Sequence, residues 1–267
     1  MIHEHNLCQP DEGKSCGACC GLYNYRDNSR QALAERLRRR TELFRQTSRT
    51  VKGLERFSRR IGETEPQEKL FEDIYCCEFL GFVDAYERRV GCLLHPGRNE
   101  GVDLRDSAFY GKDLCDGHYC PSYSQLTSLE QQSVIHSISD WYLYGIAITD
   151  IDLIKEYIRQ VSDRIGETPR LSRVLENKQL LSAIGDFIAF RIDWPYRAPE
   201  GNRFGKYCFA DAGYDIDRID YESLGCRRSP YDRILVSLAS RFQTIAELKH
   251  AESIIENNIS RFAADYP

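Results

Sequence analysis

Cysteine placement constrains this chain more than any other feature. Nine of its eleven cysteines fall in the first 120 of 267 residues; only Cys208 and Cys226 come later. The densest stretch is Cys16-Gly17-Ala18-Cys19-Cys20, where Gly13 and Gly17 leave the backbone able to wrap a small object. An even scatter would suggest incidental core thiols. This clustering predicts one half of a metal or cluster site, with the other half drawn from Cys76, Cys77, Cys92, Cys115 and Cys120, and Cys8 as a further candidate. The cysteine count is odd and no export signal is visible, which disfavours a disulfide framework. In a reducing compartment clustered thiols are more often metal ligands or redox groups.

Thiolate sulfur is a soft donor, suited to zinc, iron and copper. A Cys-x-x-Cys turn lets two sulfurs reach one ion. The adjacent pairs Cys19-Cys20 and Cys76-Cys77 tend to point different ways, so they call for two metals, or for one ligand plus one core thiol. His95 and His118 lie close enough in sequence to be nitrogen donors or ordinary loop histidines.

The rest of the chain reads as mostly α-helical. Residues 1–25 read as loop. A long helix is expected from Ser29 to Ile61, interrupted near Gly53 if at all, with Leu33, Leu37, Phe44, Val51, Leu54, Phe57 and Ile61 on one stripe and Gly62 as its C′ residue. Residues 67–126 read as irregular apart from a short helix at Glu68–Tyr75. A structureless stretch of that length is uncommon unless something cross-links it, and a metal would. From Thr127 the pattern changes to a helical bundle. Capping boxes stand at Thr127–Glu130 and Thr244–Glu247. Helices are expected through Val134, Ile138, Trp141 and Gly145; from Asp150 to Gly166; from Leu171 to Phe190, as one helix or two; from Tyr231 to Phe242; and from Thr244 onward. The expected domains are 1–126, a cysteine-rich module with one long basic helix (about 29–61), and 127–267, an α-helical domain.

Between Arg26 and Arg60 twelve Arg and Lys stand against four Asp and Glu, including the run Arg38-Arg39-Arg40. A polyanion or acidic partner is one reading; a solvated helix face is the other, and the lack of interleaved aromatics favours it. A net charge of −5 disfavours nucleic acid as the partner of the whole chain. No window approaches the roughly 20 apolar residues of a membrane span. The N-terminus lacks the apolar core of a secretory signal, so a cytoplasmic location is expected. No Gly-x-Ser-x-Gly, phosphate loop or dinucleotide fingerprint is present. Arg105–Gly111 and Gly205–Asp217 are dense in aromatic and charged residues, and read either as a surface over the metal centre or as aromatic packing with Asp at turns.

The cysteine blocks resemble the YkgJ-type cysteine-cluster family, the CxxCxxCC zinc- or iron-chelating domain. The matching pieces are Cys16-Gly17-Ala18-Cys19-Cys20, Cys77-Glu78-Phe79-Leu80, Gly91-Cys92-Leu93-Leu94-His95-Pro96-Gly97-Arg98 and Cys120-Pro121, within residues 8–122. Gly13 occupies the place of the family's first cysteine, so Cys8 has to replace it from a different spacing. The resemblance implies metal chelation by about eight thiolates: Cys16, Cys19, Cys20, Cys77, Cys92, Cys115 and Cys120, with Cys8 and Cys76 next.

The expected fold is therefore mostly α, a loop-rich, metal-stapled N-terminal module packed on an α-helical bundle. The expected function is chelation of zinc or iron, the cofactor being either ion or an iron–sulfur cluster. Two alternatives stand beside it: an iron–sulfur or metal-dependent enzyme, and an adaptor with structural zinc and a partner-binding basic helix.

Overall fold

The computed structural model describes residues 6–199 and 218–267, and these are mostly helical. The chain divides into two compact units. One comprises residues 1–120 and 140–145; the other comprises 121–139 and 146–267.

In the first unit the basic segment is broken, as allowed for near Gly53, into two helices, α1 (Arg30–Arg45) and α2 (Val51–Thr64); Val51, expected on the apolar stripe, instead opens α2 and is 66% exposed. Ser29 caps α1 through the Ala32 N–H at 3.3 Å, and Thr50 caps α2 through the Gly53 N–H at 3.2 Å. The break lies at residues 46–50, ahead of Gly53. Gly53 sits inside α2, where a Cβ would come within 2.2 Å of the Ser48 carbonyl oxygen. Its role is to let the second helix start hard against the turn before it. Gly62 does not end the helix either: α2 runs to Thr64, and the cap residue Glu65 donates its N–H to the Ile61 carbonyl at 3.0 Å.

Phe44, Leu54, Phe57, Ile61, Phe79, Leu93 and Leu94 form the apolar core over these helices, with Cys77 and Cys92 packed on its edge. Phe57 and Phe79 stack at 5.1 Å. The expected helix at Glu68–Tyr75 is a set of turns. A short antiparallel hairpin follows, β1 (Leu80–Phe82) with β2 (Val90–Cys92), pairing Leu80 with Cys92. A small helix, α3 (Gly111–Gly117), precedes Cys120.

Residues 140–145 belong to the first unit because three buried tyrosines tie them there. Tyr23 donates its hydroxyl to the Trp141 and Tyr142 carbonyls at 3.1 and 3.3 Å. Tyr142 donates to the Asn28 carbonyl and Tyr144 to the Leu7 carbonyl, both at 2.8 Å. Gly145 makes room for Tyr23, whose hydroxyl oxygen lies 2.1 Å from where a Cβ would stand.

The second unit is built of helices. These are α4 (Ser122–Gln125), α5 (Ser128–Ser137), the end of α6 (Trp141–Ile148), α7 (Ile151–Ile165), α8 (Leu171–Glu176), α9 (Lys178–Asp193), α10 (Asp232–Ser237) and α11 (Ile245–Asp265). Both capping boxes form as expected. Asp150 caps α7, and Gly166 closes it in the left-handed conformation at φ 81°. The stripe through Val134 and Gly145 splits into α5 and α6. The Leu171–Phe190 segment is two helices, divided at Asn177, whose side chain caps α9. The helix expected over Tyr231–Phe242 stops at Ser237, ahead of Ala239 at φ 55°. Tyr157 stacks on Phe187 at 4.1 Å and meets Phe262 edge-on. Arg191 and Asp150 form a fully buried ion pair at 3.2 Å. No described helix is long and apolar enough to cross a membrane.

Candidate metal centre

The cysteine-rich stretch is shaped by its glycines. Residues Ala18–Cys20 form a single 3-10 turn, closed by Gly21 at φ 75°. A Cβ on Gly21 would meet the Tyr75 carbonyl oxygen at 2.1 Å and the Cys76 Cα at 2.8 Å. Only glycine lets the Cys19-Cys20 turn lie directly on the Cys76-Cys77 segment. The Cys77 N–H then donates to the Cys20 carbonyl at 2.9 Å. A parallel arrangement joins the N-terminal strap, where the Cys16 N–H donates to the Cys8 carbonyl at 2.8 Å. Ser15 acts as an extra strand partner for β2: its hydroxyl accepts from the Val90 N–H at 2.6 Å and donates to the Val90 carbonyl at 2.8 Å.

The thiols sort by which of them disfavour one another's charged form. Burial raises the Cys16 thiol well above its ordinary range, and Cys8 and Cys120 raise it further. Cys19 is raised by its hydrogen bond with Cys120, then by burial, then by Cys16, Cys120 and Cys20. Burial likewise raises Cys20, with added pressure from Cys77, Cys92, Cys115 and Cys8. Cys77 is raised by burial, by Glu78 and by Cys92. Cys92 is pushed up to about 11, by burial first and also by Cys115. Cys19 is thus tied most closely to Cys120, and Cys20 to Cys77, while Cys8 acts on both Cys16 and Cys20.

Cys76 is buried. Asn24 Nδ2 donates to its sulfur at 3.7 Å, and Arg40 and Lys69 act on it as nearby cations. It is the core thiol of the second vicinal pair, and it borders an open cavity of about 500 Å³ that Lys69, Tyr75, Glu78 and Phe109 also line. His95 accepts the Gly97 N–H on Nδ1 at 3.1 Å, capping a short turn, and His118 is exposed beyond α3. Cys226 belongs to the other unit, while Cys208 and the Gly205–Asp217 stretch lie outside the described residues. Among the described residues, no three His, Cys, Asp or Glu side chains converge tightly enough to hold a metal ion as they stand.

Two arginines that composition does not single out support the thiol segments. Arg40 is 1% exposed. It meets Glu65 at 2.7 Å and donates to the Tyr25 hydroxyl at 2.7 Å and to the Cys77 carbonyl at 2.9 Å. Arg105, also buried, holds Asp103 at 2.6 Å and Asp116 of α3, and its charge favours the thiolate forms of Cys92 and Cys115. Each arginine of the basic run meets a carboxylate: buried Arg40 and half-exposed Arg39 meet Glu65, and Arg38 meets Glu87 at the surface at 2.7 Å.

No family model, no curated protein and no solved structure matches the chain. The likeness to the cysteine-cluster family is carried by the quoted motifs alone.

Proposed function

We propose that this chain is a cytoplasmic metal-binding protein that chelates zinc or iron through the thiolates of its N-terminal half. One observation carries the reading. Backbone hydrogen bonds and strand pairing lay separated cysteine stretches against one another, Cys16 on Cys8, Cys77 on Cys20, and Cys92 opposite Leu80. Thiols drawn together in an interior are costly to charge alone and favourable to charge around a cation. The donor set is all sulfur, which fits a thiophilic ion. Cys8, Cys16, Cys19, Cys20, Cys77, Cys92, Cys115 and Cys120 would supply the donors. Cys8 sits beside Cys16, where it can take the part of the cysteine that the family has at Gly13. A bound ion supplies the positive charge that keeps its thiol ligands deprotonated; an iron–sulfur cluster would add electron transfer.

Metal analysis of protein purified without oxygen tests this reading. Two zinc ions per chain in a colourless protein fit a pair of closed sites. A brown protein with broad visible absorption favours the iron–sulfur alternative, and with it an enzyme. Cys16→Ser and Cys92→Ser should each lower the content by one centre, and Cys76→Ser should leave it unchanged. If neither Cys16→Ser nor Cys92→Ser lowers it, the assignment is wrong. The adaptor reading loses ground because Arg38, Arg39 and Arg40 each already meet a carboxylate.

A further inference from the structure

The open cavity of about 500 Å³ beside Cys76 lies wholly within the first unit. Helix α2 forms one side of it through Ile61 and Gly62. The rings of Tyr75 and Phe109, 4.8 Å apart, border it as well. Phe109 is 74% exposed, an unusual position for a large aromatic side chain with nothing over it. A space of this size, with apolar walls and a few polar groups, suits a small molecule.

Of the residues lining the cavity, Arg40, Lys69 and Glu78 carry charge. Arg40 is already matched, by Glu65 at 2.7 Å. The other two are not. Glu78 is half-buried, and each of its carboxylate oxygens accepts a neutral hydroxyl, one from Ser58 and one from Tyr75. Among the described residues no cation comes within ion-pair distance of it, and Lys69, also half-buried, meets no carboxylate. Opposite charges that share one small cavity gain by pairing, yet Lys69 and Glu78 stay apart. Each keeps hydrogen-bonding capacity to spare: an ammonium has three donors, and a carboxylate has about four lone-pair sites, of which Glu78 has two filled.

We infer that this cavity binds a zwitterion, an α-amino acid with an aromatic or large aliphatic side chain. Lys69 takes its carboxylate, Glu78 takes its ammonium, and Tyr75 and Phe109 receive its side chain. A ligand with only one charge would answer either Lys69 or Glu78 and leave the other without a counter-ion. An α-amino acid answers both, because its two charges sit on one carbon. Its side chain would cover the exposed face of Phe109. This inference stands apart from the metal-binding reading, since neither Lys69 nor Glu78 is among the thiol ligands.

The test is isothermal titration calorimetry on the full chain with L-phenylalanine and two relatives that each lack one charge, 3-phenylpropionate and 2-phenylethylamine. L-Phenylalanine should bind at one molecule per chain, and each relative about tenfold or more weakly. Glu78→Gln keeps the shape and an acceptor oxygen; it should bring L-phenylalanine down to the level of 3-phenylpropionate. Lys69→Met should bring it down to the level of 2-phenylethylamine. Phe109→Ala, at an exposed position where folding is not at stake, should weaken L-phenylalanine by about tenfold. No binding of L-phenylalanine or L-leucine at millimolar concentration overturns the inference. So does 3-phenylpropionate binding as tightly as L-phenylalanine, which would mark a plain anion site at Lys69, or 2-phenylethylamine doing so, which would mark a plain cation site at Glu78. None of these outcomes alters the expected metal content.

Discussion

The two units hold together by different means. The second is a helical bundle whose interior is Leu, Ile and Phe, joined by the Tyr157–Phe187 stack and one buried ion pair. The first has a smaller apolar core, and its buried charge gathers at Glu65, which Arg36, Arg39 and Arg40 all meet. Apolar burial tolerates the loss of one contact gradually. A buried charge network does not, because removing one partner leaves another uncompensated. The comparison teaches that both units bury charge, but the first concentrates it on one carboxylate shared by three arginines, so that losing Glu65 strands several cations at once.

The largest effect should come from Glu65→Ala. It strands Arg40, which has one buried carboxylate within reach, and should cost about 3–5 kcal/mol. Chemical denaturation followed by site-resolved hydrogen exchange should show the loss in the first unit, with α7, α9 and α11 still protected. A uniform loss across both units would dissolve the contrast.

Phe187→Ala should cost about 3–4 kcal/mol by opening a cavity against Tyr157. The same measurement should show the loss in the helical unit, with zinc content unaltered. A drop in bound zinc would mean that the two interiors are not separable.

Acid should separate the units as well. Burial would raise Glu65, but Arg40, Arg36 and Arg39 outweigh it and hold its carboxyl below the usual range. A depressed carboxylate stabilises the fold above the ordinary glutamate range, and that stability is lost as pH falls below it. The first unit should therefore lose exchange protection ahead of the second as pH drops from about 5 toward 3. Glu65→Gln should flatten that dependence; an unchanged profile would assign the acid sensitivity elsewhere.

The smallest effect is expected at Arg38, whose pair with Glu87 is on the surface. Arg38→Ala should change stability by less than about 1 kcal/mol. Heparin retention at low salt should also stay unchanged. A clear loss of retention would revive the polyanion reading of the basic helices.

Local chemistry made much of the fold legible. Ser29, Thr127, Asp150, Thr244 and Gly166 are helix boundaries in the sequence because a side-chain oxygen or a left-handed glycine satisfies the end of a helix wherever it sits. The break near Gly53 was legible only as an option, since what places it at residues 46–50 is the close approach of the Ser48 carbonyl. Nor was the run of α2 past Gly62, which ends where Glu65 turns toward three arginines. The nine clustered cysteines stood out by spacing, and their contacts did not. Cys19-Cys20 and Cys76-Cys77 look alike as dipeptides, yet the Cys20 carbonyl takes the Cys77 N–H while the Cys76 sulfur accepts from Asn24. Arg105 lay within a segment noted for its aromatics, and nothing marked it as the buried cation beside Cys92 and Cys115.

By itself the sequence determined that this is a mostly helical chain with its thiols concentrated at one end, because composition and periodicity are properties of neighbours along the chain. Only the tertiary structure decided which thiols keep company. That choice depends on backbone hydrogen bonds between distant segments, Cys16 to Cys8 and Cys77 to Cys20, and on a glycine at position 21 that lets two cysteine turns touch.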